Sequence, residues 1–215
     1  MVTVFNTHNT ILNNYIAEMR DVSIQKDALR FRKNIERIGQ LMAYEISKKI
    51  TYSSAQITTP LGLAKENVIA EQPVLATILR AGLPFHYGML SVFDKAENAF
   101  ITAFRKYSSE TEFSVEIQYM ACPDLTGKTL ILCDPMLASG SSMFGVYEKM
   151  LKNGKPAKVH IASIIASQKA VDFVSSKFGT DVDIWIGAVD KELNSHSYIV
   201  PGLGDAGDLA FGEKL

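Results

Sequence analysis

The segment from residue 130 to residue 142 combines an acid with a loop of small and hydroxylated residues. An apolar run ends at Asp134, and the residues that follow are Pro135, Met136, Leu137, Ala138, Ser139, Gly140, Ser141 and Ser142. A strand that turns through glycine and serine into a helix presents free backbone N–H groups and the positive end of the helix dipole, and both attract phosphate. A carboxylate at the start of the loop can accept hydrogen bonds from sugar hydroxyls. The segment therefore predicts a site for a phosphorylated ribose.

Two arginines stand directly after other apolar runs. Arg80 closes the run 73–79 and is followed two residues later by Gly82, and Arg105 follows the run 99–104. A guanidinium offers a rigid fork of donors, and small residues beside it let the backbone approach a ligand. Two cations at strand ends, on the edge that carries the phosphate loop, favour a polyanion such as pyrophosphate. For Arg80 the alternative is a structural ion pair with a carboxylate.

The run 198–208 contains three glycines and two acids, Asp205 and Asp208, without the period of a helix or a strand. Such a composition predicts an irregular segment whose backbone groups are accessible to a ligand. A cation-binding loop is the alternative, but the run lacks the alternating acids and the terminal Glu of an EF-hand.

The composition of the chain places it among ordinary globular proteins. Its 215 residues, 47% of them hydrophobic and 21% charged, predict one domain over residues 1–215. A formal net charge of -1 provides no general attraction to nucleic acid or to anionic membranes, so we expect neither as a partner. The sequence shows no signal pattern, and Cys122 and Cys133 are too few for a disulfide framework. We therefore expect a reduced, cytoplasmic protein.

Apolar runs and helical periods alternate along the chain. They predict strands before Thr58 and at 73–79, 99–104, 113–119, 129–133, 159–165 and 182–189, and helices at 27–48, up to about residue 151, and at 169–178. This order is typical of an α/β fold with a mostly parallel, twisted sheet and helices on both faces. Such sheets bind ligands beyond the carboxyl ends of their strands, where Asp134 and Arg80 are expected. The polar segment 106–112 fits either a flap or a hairpin turn.

Taken together, these segments resemble the uracil phosphoribosyltransferase family, which is a group of type I phosphoribosyltransferases. The resemblance covers nearly the whole chain and is carried by residues 18–21, 44–45, 78–83, 134–138, 193–194 and 198–208. The run 198–208 is similar to the family's uracil-binding hood, and the pair Asp134-Pro135 replaces the two adjacent acids of most other phosphoribosyltransferases. The resemblance implies the type I fold with a hood formed from the chain ends.

The resemblance also implies an activity and the residues that carry it. The activity is transfer of a 5-phosphoribosyl group from phosphoribosyl pyrophosphate to uracil, which gives UMP and pyrophosphate in pyrimidine salvage. The residues implied for phosphoribosyl pyrophosphate are Arg80, Arg105, Asp134, Pro135, Met136, Leu137, Ala138, Ser139, Gly140, Ser141, Ser142 and Asp205. Those implied for uracil are Ile199, Gly204, Asp205 and Ala206, and those implied for catalysis are Asp205, Arg105 and Arg80.

The family further implies Mg²⁺ as a cofactor, held mainly by the pyrophosphate and not directly by side chains. It implies a homodimer or homotetramer, and it makes GTP a candidate effector.

A backbone-lined pocket suits the chemistry of uracil. The edge of uracil presents an acceptor, a donor and an acceptor, and an irregular Gly-rich segment can offer N–H, C=O and N–H in complement. Cytosine would leave two of these groups unpaired, at a cost of about 1–3 kcal/mol each.

Three other functions remain open on the sequence. The chain could use another base, it could be a nucleotide-sensing regulator that binds RNA, or it could be a family member that binds ligand and turns over poorly. The last is motivated by Ser141, where the family usually has Gly, and by Leu209, where it commonly has Arg or Lys. The near-neutral charge argues against an extensive RNA surface.

Overall fold

The computed structural model describes residues 1–107, 113–179 and 181–214, and it is built on an eight-stranded sheet. The strands of the described chain are β1 (Val2–Val4), β2 (Tyr52–Thr59), β3 (Gly62–Ile69), β4 (Val74–Leu79), β5 (Glu97–Tyr107), β6 (Phe113–Ala121), β7 (Thr129–Cys133), β8 (Met136–Leu137), β9 (Lys158–Ser167), β10 (Val182–Asp190), β11 (Glu192–Leu193) and β12 (Ile199–Val200). Seven strands of the large sheet follow the order β1-β10-β9-β7-β4-β5-β6, and β8 pairs with β9.

Every pair of neighbours in the large sheet is parallel except β5 and β6, which run antiparallel. Strand β9 is buried along nearly its whole length, as expected of a strand covered on both faces. The predicted α/β fold with a mostly parallel sheet is confirmed.

Helices cover both faces of this sheet. They are α1 (Ile11–Arg20), α2 (Ala28–Ser47), α3 (Gly82–Leu90), α4 (Ser141–Met150), α5 (Gln168–Phe178) and α6 (Ala206–Phe211). Helices α1, α2 and α3 build one apolar core against the sheet, and α4 and α5 build a second core on the opposite face. None of the helices in the described part of the chain has the length and apolar character needed to cross a membrane.

Helix α2 follows directly from its sequence. The carboxylate of Asp27 accepts a hydrogen bond from the backbone N–H of Arg30 at 3.0 Å and so caps the helix. Side chains spaced three or four apart, from Phe31 to Ile46, are buried in the core that α2 shares with α1, α3 and the sheet, and they form the face that the helical period predicts.

The structure differs from the predicted elements at two places. Strand β5 continues to Tyr107, so Arg105 lies within this strand and does not follow it, and the side chain of Arg105 is outside the described part. The flap or turn predicted for 106–112 falls mainly on residues 108–112, which also lie outside it. The single strand expected before Thr58 is half of an antiparallel ribbon of β2 and β3.

The C-terminal part of the chain packs against the N-terminal helical region at the carboxyl edge of the sheet. The hood, residues 198–208, lies against the end of α1 and the segment that joins α1 to α2, because Arg20 donates to the carbonyl of Gly202 at 2.9 Å and Gln25 donates to that of Leu203 at 3.1 Å. Arg32 donates to the carbonyl of Ala210 at 2.6 Å. These contacts hold the hood over the carboxyl ends of the strands.

Candidate active site

One cleft of about 790 Å³ lies at the carboxyl edge of the sheet. Its walls come from the end of β4, from the loop between β7 and α4, and from the hood. Segments that are more than 100 residues apart in the sequence therefore face one space, as the phosphate-site and hood predictions together require.

The end of β4 brings Arg80 to the cleft. Gly82 follows so close to the sheet that a Cβ on it would lie 2.2 Å from Oγ1 of Thr77. Only glycine lets α3 begin at this point, and Arg80 is thereby directed toward the hood. The peptide between Leu79 and Arg80 is cis. Arg80 Nη2 donates to Oδ1 of Asp208 at 2.6 Å, so the arginine both lines the cleft and forms an ion pair with a carboxylate.

The loop after β7 has the geometry of a phosphate site. Gly140 has φ +79, and a Cβ there would lie 2.9 Å from side-chain atoms of Phe173 and Val174. This left-handed turn starts α4 at Ser141, whose hydroxyl lies 2.6 Å from that of Ser139. The N-terminal N–H groups of α4 thus point toward the cleft wall formed by Ser139, Gly140 and Ser142.

Neighbouring strands hold the start of this loop in place. The carbonyl of Pro135 accepts hydrogen bonds from the N–H groups of Ile164 and Ile165 at 3.1 and 3.0 Å. Oδ1 of Asp134 accepts the N–H of Met136 at 3.2 Å. The Asp134 carboxylate is consequently fixed at the edge of the cleft, where it is half-buried.

The hood presents Asp205 at the start of α6. Oδ1 of Asp205 accepts the N–H groups of Gly207 and Asp208 at 2.9 and 3.0 Å, and Oδ2 accepts Nζ of Lys214 at 2.9 Å. Burial raises the pKa of Asp205, but these hydrogen bonds outweigh it, so the pKa lies below its ordinary value. Asp205 is therefore ionised at neutral pH.

Glycines give the hood its shape. Gly202 has φ +55, and a Cβ on it would lie 2.1 Å from the carbonyl oxygen of Ile199. Gly204 has φ +93 and lines the cleft. The peptide between Val200 and Pro201 is cis. The backbone around Gly204 is thus turned toward the cleft, where it can meet a flat ligand.

The cleft gathers most of the residues that the sequence analysis names. Those in its walls are Arg80, Asp134, Met136, Leu137, Ala138, Ser139, Gly140, Ser142, Ile199, Gly204, Asp205 and Ala206. Pro135 anchors the loop from behind, and Ser141 contacts the cleft wall through Ser139. The side chain of Arg105 is not described.

The sequence analysis misses Lys214, which lines the cleft together with Ala81, Gly207 and His196. The residues around Lys214 form no motif that would place it in a cleft, because a lone lysine is ordinarily a surface residue. Leu209 stands where the family commonly has Arg or Lys, and Lys214 supplies a cation to the cleft wall in this chain.

Among the described residues, no group of three or more His, Cys, Asp and Glu could hold a metal ion. The carboxylates in the cleft walls are those of Asp134 and Asp205.

Comparison with known proteins identifies the relationship. A model of the family described as uracil phosphoribosyltransferase matches residues 6–213. The chain belongs to the uracil phosphoribosyltransferase family. A uracil phosphoribosyltransferase from Porphyromonas gingivalis is 58% identical over 207 residues, which cover 96% of each chain.

Solved structures extend this comparison. A protein from Aquifex aeolicus has 31% identity and a TM-score of 0.87 with this uracil phosphoribosyltransferase family member, and the match covers 99% of this chain and 98% of the other. A hypoxanthine phosphoribosyltransferase from Staphylococcus aureus, at 13% identity and a TM-score of 0.52 over 86% and 83% of the two chains, shares the fold alone.

Proposed function

We propose that this protein transfers the 5-phosphoribosyl group of phosphoribosyl pyrophosphate to N1 of uracil, giving UMP and pyrophosphate. One observation carries the proposal: the loop after β7 and the Gly-rich hood line a single cleft. A ligand that joins a sugar phosphate to a planar base can contact both walls at once. Family membership supports the same reaction.

The sheet side of the cleft suits the sugar and its phosphates. The N–H groups at the start of α4, with the hydroxyls of Ser139 and Ser142, bind the 5-phosphate. The Asp134 carboxylate accepts hydrogen bonds from the ribose hydroxyls. Arg80 stabilises the pyrophosphate as negative charge develops on it during departure, and we assign the same role to Arg105.

The hood suits the base. Main-chain groups of Ile199, Gly204 and Ala206 bind the edge of uracil, and Asp205 accepts the N1 proton directly or through water. Because its pKa is lowered, Asp205 is present as the carboxylate that can do so. Alignment of the base with the anomeric carbon in the cleft contributes a large part of the rate enhancement, since positioning can lower an activation barrier by about 7–11 kcal/mol.

Mg²⁺ is the proposed cofactor, and it would neutralise negative charge on the pyrophosphate as that group departs. In the part of the chain that the structure describes, the carboxylates lining the cleft are those of Asp134 after β7 and Asp205 in the hood, and they belong to no group of three or more metal-ligating side chains. We therefore assign the metal mainly to substrate oxygens. Removing divalent cations with a chelator should abolish turnover, and added Mg²⁺ should restore it.

The decisive test is incubation of the purified protein with uracil, phosphoribosyl pyrophosphate and Mg²⁺, with UMP measured by chromatography. Uracil should be converted, and cytosine, hypoxanthine and adenine should not. Absence of UMP would falsify the proposal. Conversion of a different base would indicate the alternative specificity, and salt-sensitive RNA binding without turnover would indicate the regulator.

A homodimer or homotetramer is proposed from the ribbon of β2 and β3. This ribbon forms a sheet of its own and exposes apolar side chains, among them Leu61 at 99% and Leu63 at 67%. A two-stranded hairpin is only marginally stable alone, so a second copy of the chain is the fitting cover. Sedimentation should give a mass of at least two chains, and Leu63→Asp should shift it toward one.

The family resemblance also makes GTP a proposed effector, which an assay with and without GTP tests.

We propose a cytoplasmic location because both cysteines, Cys122 and Cys133, carry free thiols. Cell fractionation with an antibody to the protein checks the location.

A further inference from the structure

The tail, residues 212–214, bridges the hood and the end of β4. Nζ of Lys214 lies 2.9 Å from Oδ2 of Asp205 and 3.1 Å from Oδ1 of Asp208. Arg80 donates to the same Oδ1 of Asp208 at 2.6 Å and to the carbonyl of Gly212 at 3.1 Å. Two acids and two bases therefore form one continuous chain of ion pairs along the edge of the cleft.

The two negative and two positive charges of these four side chains balance, and the balance depends on Lys214. Without the ammonium of Lys214, Arg80 would be the one cation left in an ion pair with the carboxylates of Asp205 and Asp208 among the described residues, and these carboxylates would face a substrate with three phosphoryl groups. From residue 209 to residue 214 the sequence holds no other cation. Removing Lys214 would leave a net negative charge where a polyanion must bind, which is unfavourable at short range.

Lys214 also completes the fixation of one carboxylate. Oδ1 of Asp205 is held by two backbone N–H groups at the start of α6, and Oδ2 is held by Lys214. With both oxygens bound, the carboxylate has one orientation. Loss of the Lys214 bond would free Oδ2 to bind water and would loosen the helix start.

We propose that Lys214 is a positioning residue for the reaction assigned above: by binding Asp205 and Asp208 together, it fixes the Asp205 carboxylate and holds the hood beside Arg80. The inference rests on the proposed function. It concerns a lysine that acts through Asp205, and it assigns no direct contact between Lys214 and uracil.

The test compares Lys214→Gln, Lys214→Arg and the neighbouring tail variant Glu213→Gln with the unaltered protein. The side chain of Lys214 is 61% exposed, so solvent screening limits the expected loss of kcat in Lys214→Gln to about fivefold at saturating uracil and phosphoribosyl pyrophosphate. Lys214→Arg should restore most of the rate, because it keeps the charge. Glu213→Gln should match the unaltered protein. Thermal unfolding of each variant checks that it folds.

Loss of any cation near the cleft would change the KM for phosphoribosyl pyrophosphate, so a change in KM alone does not test the positioning role. The fall in kcat in Lys214→Gln and its rescue in Lys214→Arg are the informative results. A kcat for Lys214→Gln at or above that of the unaltered protein overturns the proposal, and so does a Lys214→Arg variant as slow as Lys214→Gln.

Amide hydrogen exchange of residues 205–211 in the protein without substrates provides a readout that does not need turnover. Exchange should be faster in Lys214→Gln and unchanged in Glu213→Gln, and equal exchange in all three proteins overturns the proposal. If the unaltered protein forms no UMP, the proposed function fails, while the exchange experiment still decides whether Lys214 holds the hood.

Discussion

Arg20 binds Asp190 through two parallel hydrogen bonds, from Nη1 to Oδ2 at 2.8 Å and from Nη2 to Oδ1 at 2.9 Å. Oδ2 of Asp190 also accepts the N–H of Gly202 at 2.9 Å, and Nη1 of Arg20 donates to the carbonyl of Gly202. The pair thus joins the end of α1, the end of β10 and the hood. This ion pair acts together with the hydrogen bonds from Gln25 and Arg32 to fix the hood to the rest of the fold.

Removing Asp190 should therefore loosen the hood and weaken the fold. Asp190→Ala leaves a largely buried guanidinium and the N–H of Gly202 without their acceptor, and breaking such a pair costs about 3 kcal/mol. We expect a lower free energy of unfolding in urea and a higher KM for uracil. The exposed neighbour Lys191→Ala serves as control and should change stability by less than about 0.5 kcal/mol. Equal stability of the two variants would contradict the role given to the pair.

Asp205→Asn should separate the charge of this residue from its helix cap. Asparagine keeps an oxygen that can accept the N–H groups of Gly207 and Asp208 but cannot take a proton from uracil. We expect kcat to fall by about a hundredfold, the usual scale of general base catalysis, with little change in secondary structure by circular dichroism. Because the pKa of Asp205 is lowered, the loss should be equal at pH 6 and pH 8. An unaltered kcat would remove Asp205 from the chemistry.

Asp134→Asn should act on substrate binding more than on turnover. The amide can still accept the N–H of Met136, so the loop should keep its shape, while the charged acceptor for the ribose hydroxyls is lost. Hydrogen bonds to charged groups contribute about 1.5–3 kcal/mol, so the KM for phosphoribosyl pyrophosphate should rise by at least about tenfold. Initial rates at varied phosphoribosyl pyrophosphate measure this. A KM like that of the unaltered enzyme would place the sugar elsewhere.

Gly140→Ala should disturb the phosphate loop through a steric clash. Its Cβ would combine a left-handed backbone with 2.9 Å contacts to Phe173 and Val174, at a cost of about 2 kcal/mol or more. Gly127→Ala is the matched control, since Gly127 has φ +73 and no atom within 4 Å of the added Cβ. In Gly127→Ala the added Cβ causes only the strain of a left-handed backbone conformation. Gly140→Ala should be the less stable in urea, and it alone should raise the KM for phosphoribosyl pyrophosphate.

His160 should make the fold sensitive to mild acid. It is fully buried, Trp185 Nε1 donates to its Nδ1 at 3.2 Å, and burial lowers its pKa to about 4. The unfolded chain takes up a proton near pH 6.5, so the free energy of unfolding should fall by up to about 3 kcal/mol as the pH drops from 6.5 to 4.

His160→Gln isolates this contribution, because glutamine can accept the Trp185 N–H and does not titrate. Urea unfolding between pH 4 and pH 8 should show a shallower loss in the variant. The other buried histidine, His86, has a lowered pKa as well and contributes equally to both proteins. Parallel pH curves for the two proteins would contradict the prediction.

The sequence predicts the parts of the fold in which each residue's neighbours are local. Strand β7 is a continuous apolar run ending at Asp134, so both the buried strand and the site at its carboxyl end follow from the pattern. Helix α3 does not follow, because Pro84, Phe85 and Met89 are buried on several sides and leave no polar face to set a period.

The contacts of Arg80 and Lys214 could not be predicted, for a different reason. Arg80 and Asp208 are separated by 128 residues, and nothing local to either one specifies the other. Their contact depends on how the hood is carried over the sheet by Arg20 and Asp190. Sequence patterns locate such residues on an edge of the sheet, but only the folded chain pairs them.

Trp185 is the chain's single tryptophan, and it packs between Phe5 and His160 without lining the cleft. Its fluorescence should therefore follow global unfolding and remain silent when nucleotides bind. A spectroscopic assay of ligand occupancy needs an introduced fluorophore, for which the exposed ring of Tyr198 on the cleft wall marks a natural place.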